Sequence, residues 1–328
     1  MLAIFSALLS AVLVVLLRPL LVRYALARPN ARSSHTVPTP QGAGIAVVAA
    51  TLTCLVAWWA VHSIATGHAQ ANVVVFALAT TGLAAIGFID DVAPLSARVR
   101  LIVQTGACLG LLQALPDGVR ALPFLPYPIE VVVSLIGLVW FVNLTNFMDG
   151  IDGMTVAGIV PMLAGVGLLA LNANVGATTD AVIALTLAGA LIGFAPYNHP
   201  IAKVFLGDVG SLAIGGITGW LLLSLSCRGG LIAAVILALY YLADTTLTLF
   251  QRWWRGAQVG QAHREHFYQQ ATKRGLGVVQ VISRVWLLNG ALLVLALVAG
   301  TTQYIGLQLF CLGLASILTI ALLRHFRG

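Results

Sequence analysis

The chain has 328 residues, of which 60% are hydrophobic and only 8% are charged. A soluble domain carries roughly 25% charged residues, so this composition excludes a soluble protein and predicts an all-α polytopic membrane protein. The formal net charge of +7 fits the sidedness of basic loops in such a protein better than a nucleic-acid partner, and we expect no nucleic-acid binding. Apolar runs recur along nearly the whole chain, which predicts a single integral membrane domain over residues 1–328.

The apolar runs, each close to the roughly 17–25 residues that cross a bilayer, predict about eleven transmembrane helices. In chain order they lie near residues 2–17, 43–61, 72–89, 99–115, 129–147, 154–172, 180–197, 209–226, 230–250, 281–300 and 304–323. In this arrangement fifteen Lys and Arg residues fall on one side of the membrane, and only Arg120 and Arg228 fall on the other. By the positive-inside rule, the N-terminus is periplasmic and the C-terminus is cytoplasmic.

Five polar segments interrupt the apolar runs, and the predicted topology puts all of them at the cytoplasmic face. They are residues 28–44, 87–100, 143–153, 203–211 and the loop 251–280 that follows the ninth span. The chain has only ten acidic residues, so the presence of acids in several of these segments indicates a shared task at this face. The outer loops are short and show no pattern typical of a binding site.

The third segment repeats amides and carboxylates at intervals of three residues: Asn143, Asn146, Asp149 and Asp152. Residues three apart are neighbours on a helix, but four in a row drift about half a turn around it. One straight helix therefore cannot aim all four at one point. Because glycine lets the backbone leave helical geometry and lets a ligand approach closely, the glycines in this segment predict a helix end that opens into a polar loop. An ordinary charged loop between helices is the alternative.

Adjacent acids in the second segment, Asp90 and Asp91, repel each other and are costly near lipid. They predict a compensating cation, either Mg²⁺ or the nearby Arg98 and Arg100; the alternative is a helix cap beside an arginine. Mg²⁺ is usually held by one or two carboxylates together with substrate phosphates. Asp208 in the fourth segment has glycines on both sides, so that a bulky ligand could approach it, although a simple turn aspartate is the alternative there.

The loop after the ninth span contains two histidines, His263 and His266, which share a face if the segment is helical. Neither a cysteine nor a third histidine lies near, so phosphate contact or proton transfer beside Arg264 is favoured over zinc; a solvated loop is the alternative. Asp244 lies inside the ninth span, which indicates either a pairing with an arginine such as Arg252 or a role in the site.

Acids that could hold Mg²⁺ and cations that could hold phosphates therefore converge on one membrane face. Phosphoryl transfer depends mainly on positioning and on charge neutralisation, which this combination of residues could supply. A site at the membrane face also indicates one substrate from water and one from the lipid bilayer. The sequence thus predicts a phosphoryl-transfer site at the cytoplasmic ends of the helices.

The motifs resemble those of the polyprenyl-phosphate N-acetylhexosamine-1-phosphate transferases (glycosyltransferase family 4), the relatives of phospho-N-acetylmuramoyl-pentapeptide transferase. The resemblance spans roughly residues 28–284 and is carried by Gly87-Phe-Ile-Asp-Asp, Asn143…Asp149-Gly-Ile-Asp-Gly and Phe205-Leu-Gly-Asp-Val-Gly-Ser. It implies that undecaprenyl phosphate attacks the β-phosphate of a UDP-sugar and that UMP leaves. It further implies Mg²⁺ or Mn²⁺ as the cofactor, a location in the bacterial inner membrane, and a homodimer as a candidate assembly.

Carried over residue by residue, the resemblance implies three sets of site residues. The implied catalytic residues are Asp90, which deprotonates the lipid phosphate or attacks as a nucleophile, with Asp91, His263 and His266. The implied metal ligands are Asp208 and Asp91. The implied substrate-binding residues are His35, Arg100, Asn143, Asn146, Asp149, Asp152, Lys203 and Arg264.

The fifth segment departs from the family pattern, because many members carry His-x-His-His where this chain has His263-Arg-Glu-His266. This difference argues against the muramoyl-pentapeptide enzyme and is more similar to the O-antigen-initiating branch, which can use 6-deoxy sugars such as N-acetylfucosamine or N-acetylquinovosamine. Two other classes of function compete with a transferase. Intramembrane acids are typical of an ion-coupled transporter, and a non-enzymatic scaffold for envelope-polysaccharide assembly is the third possibility.

Overall fold

The computed structural model describes residues 1–27, 38–66, 71–116, 118, 120–172, 178–257 and 263–328. His35, for which a role in substrate binding is predicted, lies outside the described residues, as does most of the first polar segment. Two short strands, β1 (Leu26–Ala27) and β2 (Thr39–Pro40), pair antiparallel with Leu26 opposite Pro40. The remaining regular structure of the described chain is helical.

Twelve helices follow one another along the described chain. They are α1 (Leu2–Tyr24), α2 (Gly44–Thr66), α3 (Ala71–Val92), α4 (Ala97–Gln113), α5 (Tyr127–Met148), α6 (Met154–Leu171), α7 (Thr178–Asn198), α8 (Asp208–Leu225), α9 (Leu231–Trp254), α10 (Phe267–Lys273), α11 (Val278–Thr301) and α12 (Ile305–Arg327), with a π-helical turn (Ser226–Gly230) between α8 and α9. Each predicted apolar run coincides with one of these helices, and α10 is the short helix that the runs did not predict.

Among the described residues, nine stretches are long and apolar enough to cross a membrane. One of them, Asp208–Trp254, has 47 residues and contains two of the predicted spans, which separate where Arg228 and Gly229 leave helical geometry. Helix α4 has 17 residues, at the short end of the lengths that cross a bilayer. The chain is an all-α, multi-pass membrane protein, as predicted; the number of eleven crossings and the orientation of the termini stay predictions.

Helix α8 is the central helix of the bundle, since nearly all of its residues are buried, and it packs mainly against α3 and α5. Its first turn lies close to the backbone of two neighbouring helices. A Cβ atom on Gly87 of α3 would come within 2.3 Å of the carbonyl oxygen of Asp208, and one on Gly44 of α2 within 2.2 Å of the Cα of Gly210. These close approaches hold the beginning of α8 against the end of α3 and the beginning of α2.

The segment before α8 is held by the segment before α2. The amide of Phe205 donates to the carbonyl of Pro40 (2.8 Å), and the amides of Ala43 and Gly44 donate to the carbonyls of Phe205 (3.0 Å) and Leu206 (2.8 Å). Residues 40–44 and 205–206 therefore form a short backbone ladder beside the first residue of α8. This ladder fixes the place at which the fourth polar segment meets the membrane domain.

A second polar group lies at the opposite end of the bundle, where α7 begins and α8 ends. Asp180 is buried; its carboxylate accepts a hydrogen bond from the Ser224 hydroxyl at 2.5 Å, and Arg228 Nε lies 3.5 Å away. In the segment between α4 and α5, Arg120 Nε donates to Glu130 of α5 at 2.6 Å. These contacts join helix ends far from the polar segments of the other face.

Candidate active site

One end of the bundle brings together the carboxylates and amides that the sequence singled out. The ends of α3 and α5 and the beginnings of α6, α8 and α10 all meet there. The three motifs of the second, third and fourth polar segments lie more than fifty residues apart in the chain, yet the fourth is hydrogen-bonded directly to each of the other two.

Asp208, the first residue of α8, is at the centre of the cluster. Its Oδ1 accepts a hydrogen bond from Asn146 Nδ2 at 2.8 Å, and its Oδ2 lies 3.6 Å from Arg100 Nη1. Its side chain is 29% exposed, so the carboxylate is held from two sides and still faces water. Such a carboxylate can take a further ligand without breaking its present contacts.

Asp90 is more enclosed than Asp208, because its side chain is only 8% exposed. One carboxylate oxygen accepts from the amide of Leu95 at 2.6 Å, and the other accepts from Arg100 Nη1 at 2.6 Å. Of the cations that the sequence offered for the acidic pair, Arg100 is the one that the structure pairs with Asp90. The same guanidinium thereby lies between Asp90 and Asp208.

Asp91 caps a helix, a role that the sequence gave only as the alternative for the acidic pair. Its carboxylate oxygens accept hydrogen bonds from the amides of Asp208 (2.9 Å) and Val209 (3.1 Å), so it caps α8 from another helix. Gly207, at the N-cap position, has φ = +75°, and a Cβ there would come within 2.5 Å of Asp91 Oδ2. A side-chain cap contributes about 0.5–2 kcal/mol to stability. The predicted catalytic and metal-binding roles of Asp91 stay predictions beside this cap.

The third segment ends α5 at Met148 and opens into a loop, as the sequence predicted. Asn146 Nδ2 donates to Ser211 at 2.9 Å as well as to Asp208. Asp149 accepts a hydrogen bond from the Thr155 hydroxyl, and Asp152 accepts one from the amide of Ala202 at 2.9 Å. The loop is thus tied to α6, to α8 and to the segment that precedes α8.

Asn143 points elsewhere, because the four polar residues do not share one helix face. Its Nδ2 donates to Gln104 Oε1 of α4 at 2.8 Å and to the carbonyl of Val139. This contact joins α5 to α4 one turn before the carboxylates. A substrate-binding role for Asn143 stays a prediction that these contacts do not support.

The loop carboxyl of Asp149 lies in an unfavourable environment for a negative charge. Removal from water, together with the nearby charges of Asp208, Asp91 and Asp152, raises the pKa of Asp149 to about 8, against the lowering effect of the Thr155 hydrogen bond. Carboxylates crowded in this way are stabilised by a cation among them. The electrostatics of the loop therefore favour binding of a positively charged group.

The predicted histidine pair lies beside this loop. The rings of His263 and His266 stack with centroids 4.9 Å apart, and the ring of His266 lies 6.1 Å from that of Phe147 near the end of α5. Burial, followed by electrostatic interaction with His266 and Arg252, lowers the pKa of His263 to about 4. His263 is therefore neutral at neutral pH and can accept or donate a hydrogen bond there.

The suggested pairing of Asp244 with Arg252 is wrong. Arg252 pairs with Glu265 instead, and Asp244 accepts hydrogen bonds from the chain around His266. The expectation that Gly150 leaves room for a ligand is also wrong, because a Cβ on Gly150 would come within 2.1 Å of the Tyr268 hydroxyl. Buried tyrosine fills the space that this glycine leaves.

Two further predicted binding residues lie at the margin of the described site. Lys203 is exposed in the loop before α8, where its amide donates to the carbonyl of Tyr197 at 2.8 Å. Arg264 is partly exposed, and its carbonyl accepts from Lys273 Nζ at 2.6 Å. Their substrate-binding roles stay predictions.

Sequence reasoning did not assign roles to several residues that shape the site. Asn198 at the end of α7 accepts from the amide of Gly153 (2.9 Å) and donates to the carbonyl of Val204 (3.1 Å), so it joins two of the polar segments. Ser211 was part of the fourth polar segment, whereas Thr155 lay in the predicted span 154–172 and Tyr268 had no signal beyond its aromatic character. Their roles depend on partners distant in sequence.

A divalent metal ion at this site would need oxygen donors from the protein. Within the described part of the chain, no group of three His, Cys, Asp or Glu side chains could hold an ion by itself. Mg²⁺ is usually bound through one or two carboxylates, with substrate phosphates and waters completing its shell. The partly exposed Asp208 beside the crowded Asp149 supplies hard oxygen donors of that kind, so the residues present fit Mg²⁺ bound together with a phosphate substrate.

The chain is similar to known proteins over the region that contains these motifs. Residues 73–226 match the family described as "Glycosyl transferase family 4". The phospho-N-acetylmuramoyl-pentapeptide-transferase of Streptococcus mutans is 27% identical over 274 residues, which cover 76% of this chain and 79% of that protein. The decaprenyl-phosphate N-acetylglucosaminephosphotransferase of Mycolicibacterium smegmatis is 31% identical over 219 residues, which cover 62% of this chain and 54% of that protein.

Other similar proteins match over a shorter stretch. The phospho-N-acetylmuramoyl-pentapeptide-transferase of one Streptococcus pneumoniae strain is 36% identical over 121 residues, which cover 37% of this chain and 36% of that protein. The similarity of this chain to its relatives is therefore higher over part of the chain than over its full length.

Proposed function

We propose that this chain, which carries a glycosyl transferase family 4 domain, transfers an N-acetylhexosamine-1-phosphate from a UDP-sugar to undecaprenyl phosphate. UMP leaves, and a lipid-linked sugar diphosphate remains in the bacterial inner membrane. The relatives named above are a transferase of phospho-N-acetylmuramoyl-pentapeptide and a transferase that acts on decaprenyl phosphate. Their common chemistry, the transfer of a sugar phosphate to a polyprenyl phosphate, is what we carry to this chain.

The observation that supports the proposal most is the link between three distant motifs at one membrane face. Asp208 lies within 2.8 Å of Asn146 and 3.6 Å of Arg100, and Arg100 lies 2.6 Å from Asp90. Carboxylates for a cation and a guanidinium for a phosphate therefore alternate within a few ångströms. Phosphoryl transfer is catalysed mainly by such positioning and charge stabilisation.

In the proposed reaction, an oxygen of the acceptor phosphate attacks the β-phosphorus of the donor. The bond between that phosphorus and the bridging oxygen breaks, and the bridging oxygen leaves with UMP. Arg100 neutralises phosphate charge, because a guanidinium forms strong hydrogen bonds with phosphate oxygens. An acceptor phosphate bound to Arg100 would compete with Asp90 for that guanidinium. The Asp90 carboxylate, released from Arg100, could then accept a proton from the lipid phosphate.

Asp208 is the residue that we assign to Mg²⁺, with Asp91 beside it and Mn²⁺ as a substitute ion. The ion, when bound with the donor, would offset the negative charge of the diphosphate. Asn146 orients the Asp208 carboxylate, and Asp149 and Asp152 line the same pocket. One oxygen of Asp90 accepts from the amide of Leu95 and keeps this bond when a phosphate takes Arg100. This bond weakens the carboxylate as a nucleophile, so we favour direct attack by the lipid over a covalent intermediate on Asp90.

The sugar and the biological role are finer parts of the proposal. The retained outer histidines, His263 and His266, and the absence of a third histidine between them support a donor of the O-antigen-initiating branch, with a 6-deoxy sugar such as N-acetylfucosamine or N-acetylquinovosamine. The product would begin the lipid-linked synthesis of an envelope polysaccharide. A homodimer is the assembly expected from the family resemblance.

We expect lipid-dependent release of UMP from a panel of donors offered to purified protein with undecaprenyl phosphate and Mg²⁺. The panel contains UDP-N-acetylglucosamine, the two 6-deoxy donors and the UDP-linked muramoyl pentapeptide, each with and without EDTA. Release from at least one 6-deoxy donor that EDTA stops is the expected result, because the diphosphate needs charge neutralisation.

The panel separates the parts of the proposal. Turnover of UDP-N-acetylglucosamine alone would contradict the 6-deoxy assignment and leave the reaction class in place. Turnover of the muramoyl donor would assign the chain to the other branch. No release with any donor, from protein shown to be folded, would contradict the transferase itself.

A further inference from the structure

Asp244 of α9 is a buried carboxylate that the proposed reaction does not use. Its side chain is fully buried, with 0% exposed. Its Oδ1 lies 3.2 Å from His266 Nδ1 and accepts from the amide of Phe267 at 3.1 Å, and its Oδ2 accepts from the amide of Tyr268 at 3.3 Å. A buried carboxylate is costly unless hydrogen bonds satisfy its oxygens, and here all three described donors come from one short segment, residues 266–268.

The contact with His266 defines which nitrogen of its ring carries a proton. Each oxygen of Asp244 accepts from a backbone amide, so we assign the donor role in this pair to His266 Nδ1. In the neutral ring, Nε2 is then the unprotonated nitrogen and can accept a hydrogen bond or a proton. The ring of His263 stacks on that of His266, so the same carboxylate determines the placement of both histidines.

The segment held by Asp244 also contacts the third polar segment. The Tyr268 hydroxyl donates to the carbonyl of Phe147 at 2.9 Å and lies against Gly150. Phe147 follows Asn146, and Gly150 follows Asp149, so Tyr268 lies directly over the end of α5. Through the amide of Tyr268, Asp244 is thereby linked to the loop that contains Asp149.

We propose that Asp244 is a positioning residue of this site, which holds His266 with its proton on Nδ1 and fixes the segment 266–268 against the end of α5. The inference rests on the proposed function, because it assigns the histidine pair to the same transfer reaction. Asp244 does not contact the reacting atoms. It acts through His266, whose orientation it determines, and through Tyr268, which covers the loop after α5.

The test compares Asp244→Asn, His266→Gln and the double variant in the UMP-release assay. Asn keeps the size of the side chain, but only its amide oxygen accepts hydrogen bonds, so its NH2 group would face a donor that now bonds to one oxygen of Asp244. We expect kcat to fall by about 10–100-fold, as for other groups that orient a functional histidine, with a smaller change in KM. If Asp244 acts through His266, the double variant loses little more than His266→Gln alone, because the two effects are not additive. Multiplying losses would contradict the proposal.

Asp180→Asn is the matched control, since Asp180 is another buried aspartate and lies at the opposite end of the bundle. It is expected to lower thermal stability and to leave kcat unchanged. The charge-keeping Asp244→Glu is measured alongside and should retain more kcat than Asp244→Asn. An equal kcat loss in Asp180→Asn, or a lower kcat in Asp244→Glu than in Asp244→Asn, would overturn the positioning role.

A second readout does not depend on turnover. His266 is only 2% exposed, so diethyl pyrocarbonate should modify it more slowly than the exposed His199 and His325, as measured by mass spectrometry of peptides. In Asp244→Asn we expect modification of His266 to be about 10-fold faster or more, with His199 and His325 unchanged. Unchanged protection would contradict the placement of His266 by Asp244 even if the wild-type protein were inactive with every donor, so the two failures can be told apart.

Discussion

Replacing Asp208 by Asn is expected to reduce lipid-dependent UMP release by about 10²–10³-fold, the loss typical of removing one group that stabilises charge in a transition state. Asn has nearly the shape of Asp and can still accept the hydrogen bond from Asn146. What it lacks is the negative charge with which, in our assignment, Asp208 binds the metal ion. The loss should therefore appear in turnover and not in folding.

The measurement is the initial rate of UMP release at saturating donor and lipid, together with the thermal unfolding temperature in the same detergent. Asp180→Asn is again the control for loss of a partly neutralised carboxylate outside the site. An Asp208→Asn variant with wild-type turnover would contradict the metal assignment. A variant that is inactive because it unfolds would show a lowered unfolding temperature. In that case Asp208→Glu, which keeps the negative charge, replaces Asp208→Asn as the test of the metal assignment.

Replacing Gly87 by Ala is expected to separate the acidic pair of α3 from the beginning of α8. The added Cβ would lie 2.3 Å from the Asp208 carbonyl oxygen and 2.4 Å from its carbonyl carbon, and neither is a flexible side-chain atom. Overpacking of this kind costs about 1–3 kcal/mol of folding free energy. Because Asp90 and Asp91 follow Gly87 within one helical turn, their contacts with Arg100 and with the first turn of α8 should be lost as well.

Gly82→Ala is the matched control on the same helix, since the atom nearest to its new Cβ lies 3.9 Å away. Alanine there should keep activity and leave stability equal or up to about 1 kcal/mol higher, because alanine favours helix over glycine. The comparison uses chemical or thermal unfolding together with UMP release. Equal stability and activity in the two variants would contradict the close approach of α3 to α8.

The sequence predicted the helices well, because a membrane span is defined by the length and apolar character of one continuous segment. It also predicted that Asp90, Asp149 and Asp208 would lie at one face, since charge asymmetry between loops carries that information. The predicted boundary between the spans 209–226 and 230–250 coincides with the non-helical geometry at Arg228 and Gly229. The short helix α10 lacked the apolar length that made the others recognisable.

Pairwise contacts between distant segments could not be predicted in the same way. Asp91 caps a helix that begins 117 residues later, and nothing in its own segment distinguishes a cap from a metal ligand. The sequence predicted room for a ligand at the glycines of the third segment, whereas Gly150 leaves room for the hydroxyl of Tyr268. Gly87, to which the sequence assigned no such role, leaves room for the backbone of Asp208. The place of Asp244 within a span marked it as unusual. Its partner, His266, lies in the loop after that span, and no spacing in the sequence indicates that the two residues are in contact.

The central claim is that a sugar phosphate moves as a unit onto the lipid. It is tested most directly with a UDP-sugar that carries ³²P in its β-phosphate, incubated with purified protein, undecaprenyl phosphate and Mg²⁺ and then partitioned between organic and aqueous phases. The label should appear in the lipid fraction in an amount equal to the UMP released, and EDTA should prevent both. A lipid that gains sugar without the label, or UMP release with the label left in the aqueous phase, would contradict the claim.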